Sequence, residues 1–142
     1  MQSNPTKKRV LILCNHNAAR SQMAEGLLKS LKDEYYEVYS AGNTPSTVSP
    51  YAISVMKEIG IDISHHHSKD LTEFKGEEFD YVVTVCSGEG EACPFFPGGK
   101  QYLHQAFEDP CAVRGTDEDK LDAFRRIRDE LREWIKNTFR GE

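Results

Sequence analysis

The chain has no long hydrophobic run, although 38% of its 142 residues are hydrophobic. No apolar stretch approaches the about 20 residues that a membrane-spanning helix requires. The segment from Gln2 to Arg9 is polar and lacks the apolar region of a secretion signal. We therefore expect a cytoplasmic protein that does not bind a membrane.

The chain also lacks an excess of positive charge, because its 18 Lys and Arg residues are outnumbered by 23 Asp and Glu residues, for a formal net charge of −5. No basic stripe is visible, so nucleic acid is not an expected partner. An anionic substrate must therefore be attracted by a local site. Internal repeats and low-complexity tracts are absent as well, and the length suits one compact domain over residues 1–142, which we expect to be a monomer.

Cysteine is limited to Cys14, Cys86, Cys93 and Cys111. In a reducing compartment, four cysteines are better explained by catalysis, redox chemistry or metal binding than by a structural disulfide framework. Three adjacent histidines, at positions 65–67, suggest a metal at first sight. Adjacent side chains point in different directions, however, so we predict a solvated loop there, with no metal and no bound cofactor.

Hydrophobic periodicity and capping residues predict that strands alternate with helices along the chain. Such alternation is typical of βαβ units, in which a parallel sheet is covered on both faces. We predict an α/β fold, a three-layer sandwich with a four-stranded, mostly parallel sheet and helices on both faces. The predicted strands are Val10–Leu13, Tyr36–Ala41, Phe79–Cys86 and Gln101–Phe107, and the predicted helices are Gln22–Lys32, Pro50 to a stop at Gly60, and a final one capped by Thr116 and Asp119.

The segment from Cys14 to Ser21 joins the first strand to the first helix. Unpaired N–H groups and the positive end of the helix dipole meet at such a junction, so we expect it to bind an oxyanion. The same field stabilises a thiolate, which makes Cys14 the candidate nucleophile, with Ser21 as a hydrogen-bond donor to it. The planar guanidinium of Arg20 can donate hydrogen bonds to two oxygens of the oxyanion. The predicted oxyanion-binding residues are Asn15, His16, Asn17, Ala18, Ala19, Arg20 and Ser21.

Three residues whose side chains could take part in catalysis each follow a predicted strand. They are Cys14, Cys86 and Asp109, the last of which precedes a proline. Ligands of open parallel sheets bind outside the carboxyl ends of the strands. The predicted fold therefore brings these three residues to one edge of the sheet.

These residues, with the motifs around them, resemble the thioredoxin-coupled arsenate reductases, which are built on the low-molecular-weight tyrosine phosphatase fold. The resemblance covers about residues 8 to 136 and rests on the order and spacing of several motifs. The motifs are the Cys14 to Arg20-Ser21 loop, Gln22-Met23-Ala24-Glu25-Gly26, Ser40-Ala41-Gly42, Gly60-Ile61-Asp62-Ile63-Ser64, Val83-Thr84-Val85-Cys86 with Cys93-Pro94, and Asp109-Pro110.

The resemblance implies a relay of three cysteines. Cys14 attacks arsenate, which the loop and Arg20 hold, while Asp109 acts as general acid for the departing oxygen. Cys86 then attacks Cys14 and arsenite leaves. Cys93 converts the Cys14–Cys86 disulfide into a Cys86–Cys93 disulfide, which reduced thioredoxin reopens. Phosphate and sulfate are the expected substrate analogues.

The resemblance has two further implications. The Ser87 to Ala92 segment, a loop or short polar helix, would change shape when Cys86 and Cys93 join. Some members of the family hold potassium near the catalytic loop. Here Lys69 stands where those members have an Asp ligand, so its ammonium could replace the cation.

Two alternatives remain open from the residues. A phosphatase of this fold would use Cys14, Arg20 and Asp109 without needing Cys86 or Cys93. A non-enzymatic binder would hold a soft metal or arsenite with Cys86, Cys93 and Cys111, but it would leave the oxyanion loop unexplained. In the relay, Cys111 has no role and is treated as a bystander.

Overall fold

The computed structural model describes residues 7–87 and 93–140, and its centre is a four-stranded sheet. The strands run in the order β2-β1-β3-β4, and every neighbouring pair is parallel. The α/β fold class predicted from the sequence is confirmed. The strands are β1 (Lys8–Leu13), β2 (Tyr36–Ala41), β3 (Phe79–Thr84) and β4 (Gly99–His104).

In the described part of the chain, three α-helices and two short 3₁₀ helices connect and follow the strands. Pro50 occupies the start of the second helix, where its missing N–H costs nothing. Thr116 and Asp119 form the predicted capping box of the third. The α-helices are α1 (Arg20–Lys32), α2 (Pro50–Lys57) and α3 (Asp117–Thr138), and the 3₁₀ helices are Leu71–Phe74 and Pro110–Ala112. No helix in residues 7–87 and 93–140 is long and apolar enough to cross a bilayer.

The central strand β1 is buried on both of its faces, which explains its continuous apolar sequence. Val10 and Ile12 face a core built with residues from all three α-helices. Leu11 and Leu13 face a second core, where Phe74 of the first 3₁₀ helix and Phe96 pack. The three layers are therefore α-helices, sheet, and a cover that includes the first 3₁₀ helix.

Element ends differ from the predictions where apolar residues continue past a strand or helix. β3 ends at Thr84 rather than Cys86, because its pairing with β1 stops where β1 turns into the loop. β4 begins two residues before the predicted Gln101 and ends at His104 instead of the predicted Phe107. Its end differs because Phe107 is buried by packing and not by strand pairing. α2 ends at Lys57, before Gly60, which has the left-handed φ of 80°.

Candidate active site

The loop between β1 and α1 is tightly held by its neighbours. Cys14 directly follows the strand and is buried, and Arg20 already begins the helix, two residues earlier than predicted. Asn17 has φ of 50°, a left-handed conformation that Asn tolerates better than most residues. At Gly42, a Cβ atom would lie 2.5 Å from the carbonyl oxygen of Asn15, so only glycine permits this approach of the two backbones.

A chain of hydrogen bonds with defined direction leads to the Cys14 sulfur. The backbone N–H of Lys69 donates to Asn17 Oδ1 at 2.9 Å, which fixes the orientation of the Asn17 amide. The amide nitrogen therefore donates to the hydroxyls of Ser21 and Ser40, at 2.8 and 2.9 Å. Ser21 Oγ lies 2.8 Å from Cys14 Sγ. Because Ser21 accepts from Asn17, its own hydrogen is available to donate to a Cys14 thiolate.

The second hydroxyl of this chain leads to a buried ion pair. Ser40 donates to Glu25 Oε1, and Lys29 donates to Glu25 Oε2 at 2.6 Å. Burial alone would raise the pKa of Glu25, but the charge and hydrogen bond of Lys29, with the Ser40 bond, lower it below its usual range. An ionised carboxylate thus lies behind the loop and orients Ser40.

Gln22 and His66 form a second arm of this network. Gln22 Nε2 donates to Asn17 Oδ1 at 2.9 Å and to the carbonyl oxygen of His67 at 3.0 Å. Its oxygen must then face His66 Nδ1, 3.0 Å away, so this ring nitrogen carries the hydrogen. Burial lowers the pKa of His66, and the nearby Glu25 carboxylate only partly offsets that effect. A neutral His66 therefore helps to hold the loop.

Two expectations from the sequence need correction here. The histidine run was predicted as a solvated loop, which holds for the exposed His65 and His67, but the side chain of His66 is only 6% exposed. The ammonium of Lys69 was expected to replace the potassium ion that some family members bind, yet it donates to the His67 carbonyl oxygen at 2.9 Å. Lys29 is the cation that pairs with Glu25. Sequence reasoning missed Lys29, whose only signal is its position one helical turn after Glu25.

Arg20 and Asp109 meet beside the loop. The Arg20 side chain is buried, and its Nη1 donates to the carbonyl oxygen of Phe107 at 3.1 Å. Its Nη2 lies 3.8 Å from Asp109 Oδ2. Asp109 caps the 3₁₀ helix Pro110–Ala112, since its Oδ1 accepts the N–H of Cys111 at 2.9 Å. The guanidinium and the carboxylate are thus aimed at the same space.

That space is a pocket of about 30 Å³ which contains the predicted nucleophile, arginine and acid. Its lining residues are Cys14, His16, Ala18, Ala19, Arg20, Asp109 and Cys111. A cleft of about 500 Å³ shares His16 and Asp109 with it and reaches Ser87, next to Cys86. Among the described residues, no side chain caps the first turn of α1. The backbone N–H groups of that turn can therefore bind an oxyanion.

Cys86 and Cys93 form a disulfide, which is the final pairing that the resemblance implies. Their Cα atoms lie 6.0 Å apart. Cys86 is fully buried, whereas Cys93 is exposed. Residues 88–92, on which most of the expected change of shape falls, lie outside the described part of the chain. Cys14 and Cys111 are free thiols.

Comparisons with known proteins agree with this geometry. The model of the low molecular weight phosphotyrosine protein phosphatase family matches residues 9–140. An arsenate reductase of Halalkalibacterium halodurans is 44% identical over 130 residues, which are 92% of this chain and 94% of that protein. A solved arsenate reductase in its reduced state has a TM-score of 0.76 at 32% identity, covering 92% of this chain and 95% of that one. A thioredoxin-dependent arsenate reductase of Corynebacterium glutamicum has a TM-score of 0.65 at 32% identity, covering 95% and 63%.

Proposed function

Because this chain belongs to the low molecular weight phosphotyrosine protein phosphatase family, and its curated relatives are arsenate reductases, we propose that it reduces arsenate to arsenite. It does so with three cysteines and without a bound cofactor, and thioredoxin is its electron donor. The single observation that carries this proposal over a phosphatase is the Cys86–Cys93 disulfide beside a phosphatase-type loop. In its reduced, dithiol form this pair supplies the two electrons that a reductase needs and a phosphatase does not.

In the first step, the Cys14 thiolate attacks arsenate. The S–As bond forms, an As–O bond breaks, and the departing oxygen leaves as water after it takes a proton from Asp109. The buried guanidinium of Arg20 and the N–H groups at the start of α1 balance the negative charge of the oxyanion. The Ser21 hydroxyl lies 2.8 Å from Cys14 Sγ and donates its hydrogen to the attacking sulfur.

In the second step, the Cys86 thiolate attacks the sulfur of Cys14. The electron pair of the S–As bond remains on arsenic, so As(V) becomes As(III) and leaves as arsenite while the two sulfurs join. Cys93 then attacks Cys86, which frees Cys14 and produces the disulfide seen in the structure. Thioredoxin supplies a dithiol that returns Cys86 and Cys93 to thiols and is itself oxidised.

The surface beside Cys93 supports a protein as the reductant. Phe95 is 70% exposed and Tyr102 is 48% exposed, and their rings stack with centroids 5.7 Å apart. Tyr102 is held in place, because its hydroxyl donates to the carbonyl oxygen of Phe96 at 2.9 Å. Phe95 lies two residues after the exposed Cys93, so this aromatic pair suits the apolar contact of a redox partner.

The two alternatives are weaker for specific reasons. A phosphatase would use the same pocket of Cys14, Arg20 and Asp109, but the disulfide would then have no purpose. A thiol binder that combines Cys86 and Cys93 with Cys111 does not match the arrangement, since Cys111 lines the Cys14 pocket.

The deciding measurement is arsenate-dependent oxidation of NADPH in the presence of thioredoxin and thioredoxin reductase. Wild-type protein should consume NADPH only when arsenate is present, and Cys14→Ser should abolish this. Cys86→Ser and Cys93→Ser should stop repeated turnover but leave any hydrolysis of phosphate esters intact. Undiminished steady-state turnover by Cys93→Ser would contradict the relay, and ester hydrolysis without arsenate reduction by wild type would favour the phosphatase.

A further inference from the structure

His16 separates the small pocket of the nucleophile from the larger cleft beside it. The pocket has a volume of about 30 Å³ and the cleft about 500 Å³, and His16 and Asp109 are the described residues that line both. Cys14 and Arg20 are only 2% exposed and form the inner wall of the pocket, whereas His16 is exposed. His16 therefore lies at the entrance, which is the boundary between the pocket and the cleft.

The imidazole ring of His16 is held in place at this entrance. Its Nδ1 lies 2.9 Å from the carbonyl oxygen of Thr44, and because a carbonyl oxygen only accepts, Nδ1 carries the hydrogen. The backbone of His16 is fixed as well, since its carbonyl oxygen accepts from Ser68 Oγ at 2.8 Å. The backbone N–H of Thr44 in turn donates to the carbonyl oxygen of Asn15 at 3.0 Å. Two segments that follow later in the chain thus orient the ring.

The volume of the pocket suits a free oxyanion and not an organic group. Sites that enclose a drug-sized molecule have volumes of about 300–1,000 Å³, which is at least about ten times the volume of this pocket. Arsenate and phosphate carry only oxygens around the central atom. A phosphate ester carries an organic group on one of these oxygens, and that group must pass through the entrance into the cleft. A fixed ring at the entrance collides with it.

We propose that His16 is a specificity-determining residue, whose ring narrows the entrance so that the pocket admits a free tetrahedral oxyanion and rejects a phosphate ester. This inference deepens the proposed function, because it rests on Cys14 as the nucleophile of an oxyanion site. The other residue at the entrance, Asp109, caps a 3₁₀ helix and lies 3.8 Å from Arg20, so the entrance does not widen readily on that side. His16 thus directs a phosphatase-type pocket toward arsenate.

Three substitutions separate the size of the ring from its hydrogen bond. His16→Ala removes both, while His16→Asn keeps a donor close to the position of Nδ1 but removes the outer half of the ring. His16→Phe keeps a ring of similar size and removes the donor. His104→Ala is the matched control. His104 is also exposed and hydrogen-bonded through Nδ1, to Thr84 at 2.7 Å, but it lines neither the pocket nor the cleft.

The first measurement is the alkylation rate of Cys14 in the reduced, full-length protein with iodoacetamide and with its N-phenyl derivative. Both reagents are neutral and share one reactive group, so the ratio of their rates reports the width of the entrance and not the reactivity of the sulfur. The tryptic peptide of residues 10–20 contains only this cysteine. In His16→Ala and His16→Asn, the rate with the N-phenyl reagent should rise at least about fivefold, and the rate with iodoacetamide should stay within about twofold.

His16→Phe and His104→Ala should keep the wild-type ratio of the two rates. An unchanged ratio in His16→Ala would overturn the proposal. A ratio that shifted equally in His16→Phe would assign the restriction to the bond with Thr44 and would overturn it as well.

The second measurement compares hydrolysis of p-nitrophenyl phosphate with single-turnover reduction of arsenate. In His16→Ala and His16→Asn, kcat/KM for the ester should rise at least about fivefold, while the arsenate rate should stay within about twofold of wild type. Equal factors for the ester and for arsenate would overturn the proposal, because the residue would not select between them. If wild type reduced no arsenate, the proposed function would fail, but the alkylation ratio and the ester hydrolysis would still decide whether His16 restricts the pocket.

Discussion

The hydroxyl of Ser21 is the group through which the loop network acts on the nucleophile. It lies 2.8 Å from Cys14 Sγ, and the Asn17 amide nitrogen donates to it from the other side. Both Cys14 and Ser21 are buried, so water does not replace a lost bond readily. Ser21→Ala removes the donor to the sulfur, while Asn17 keeps its second partner, Ser40.

The size of the effect follows from the charge on the acceptor. A hydrogen bond to a charged group contributes about 1.5–3 kcal/mol, so its loss should weaken the stabilisation of the attacking sulfur anion by about that amount. A thiolate that is less stabilised is also more reactive, with a Brønsted slope of about 0.4–0.5. The two effects partly cancel, and we expect the rate of Cys14 alkylation at fixed pH to fall by about 4- to 15-fold.

Alkylation by iodoacetamide at about pH 5, below the range in which an ordinary thiol ionises, measures this rate. Trypsin releases residues 10–20 as a peptide whose only cysteine is Cys14, so mass spectrometry can follow this thiol alone. Ser40→Ala is the matched control. It removes a buried hydroxyl from the same amide nitrogen of Asn17 but leaves Ser21 in place.

The rate in Ser40→Ala should stay within about twofold of wild type, because the bond to sulfur is retained. Phosphate binding by Ser21→Ala should also be preserved, since Arg20 and the start of α1 are unchanged. If Ser21→Ala alkylated as fast as wild type, the donor role assigned to Ser21 would be refuted. Equal slowing in both variants would assign the effect to the network as a whole.

Two further substitutions test the packing and charge behind the loop. Gly42→Ala would place a Cβ atom 2.5 Å from the Asn15 carbonyl oxygen, so we expect a loss of about 1–3 kcal/mol in urea unfolding and weaker phosphate binding by calorimetry. Gly76→Ala, at φ 86° with no atom near the new Cβ, should destabilise the protein without weakening phosphate binding. Lys29→Met removes the partially exposed partner of Glu25 and should cost about 1 kcal/mol at neutral pH. Because the pKa of Glu25 is lowered in the fold, this cost should vanish as the pH falls through that pKa, and a deficit that persisted in acid would contradict the assignment.

The sequence alone determined the architecture and the chemistry of the loop. The apolar run of β1, the helical spacing after Arg20 and the capping box at Thr116 are local signals, because they reflect the geometry of single elements. The rule that parallel strands present their carboxyl ends together then predicted that Cys14 and Asp109 would meet.

Only the tertiary structure decided which groups complete the site. His66 and Gln22 are 44 positions apart, and no periodicity indicates that a histidine in a polar run hydrogen-bonds to a helix residue. The same holds for Arg20, whose Nη1 donates to the carbonyl oxygen of Phe107, 87 positions away. Spacing along the chain gives the direction of side chains within one element. It does not give the distance between elements. That distance is set by the packing of the α-helices and 3₁₀ helices against the sheet, and it determines the hydrogen bonds and the pKa values of the site.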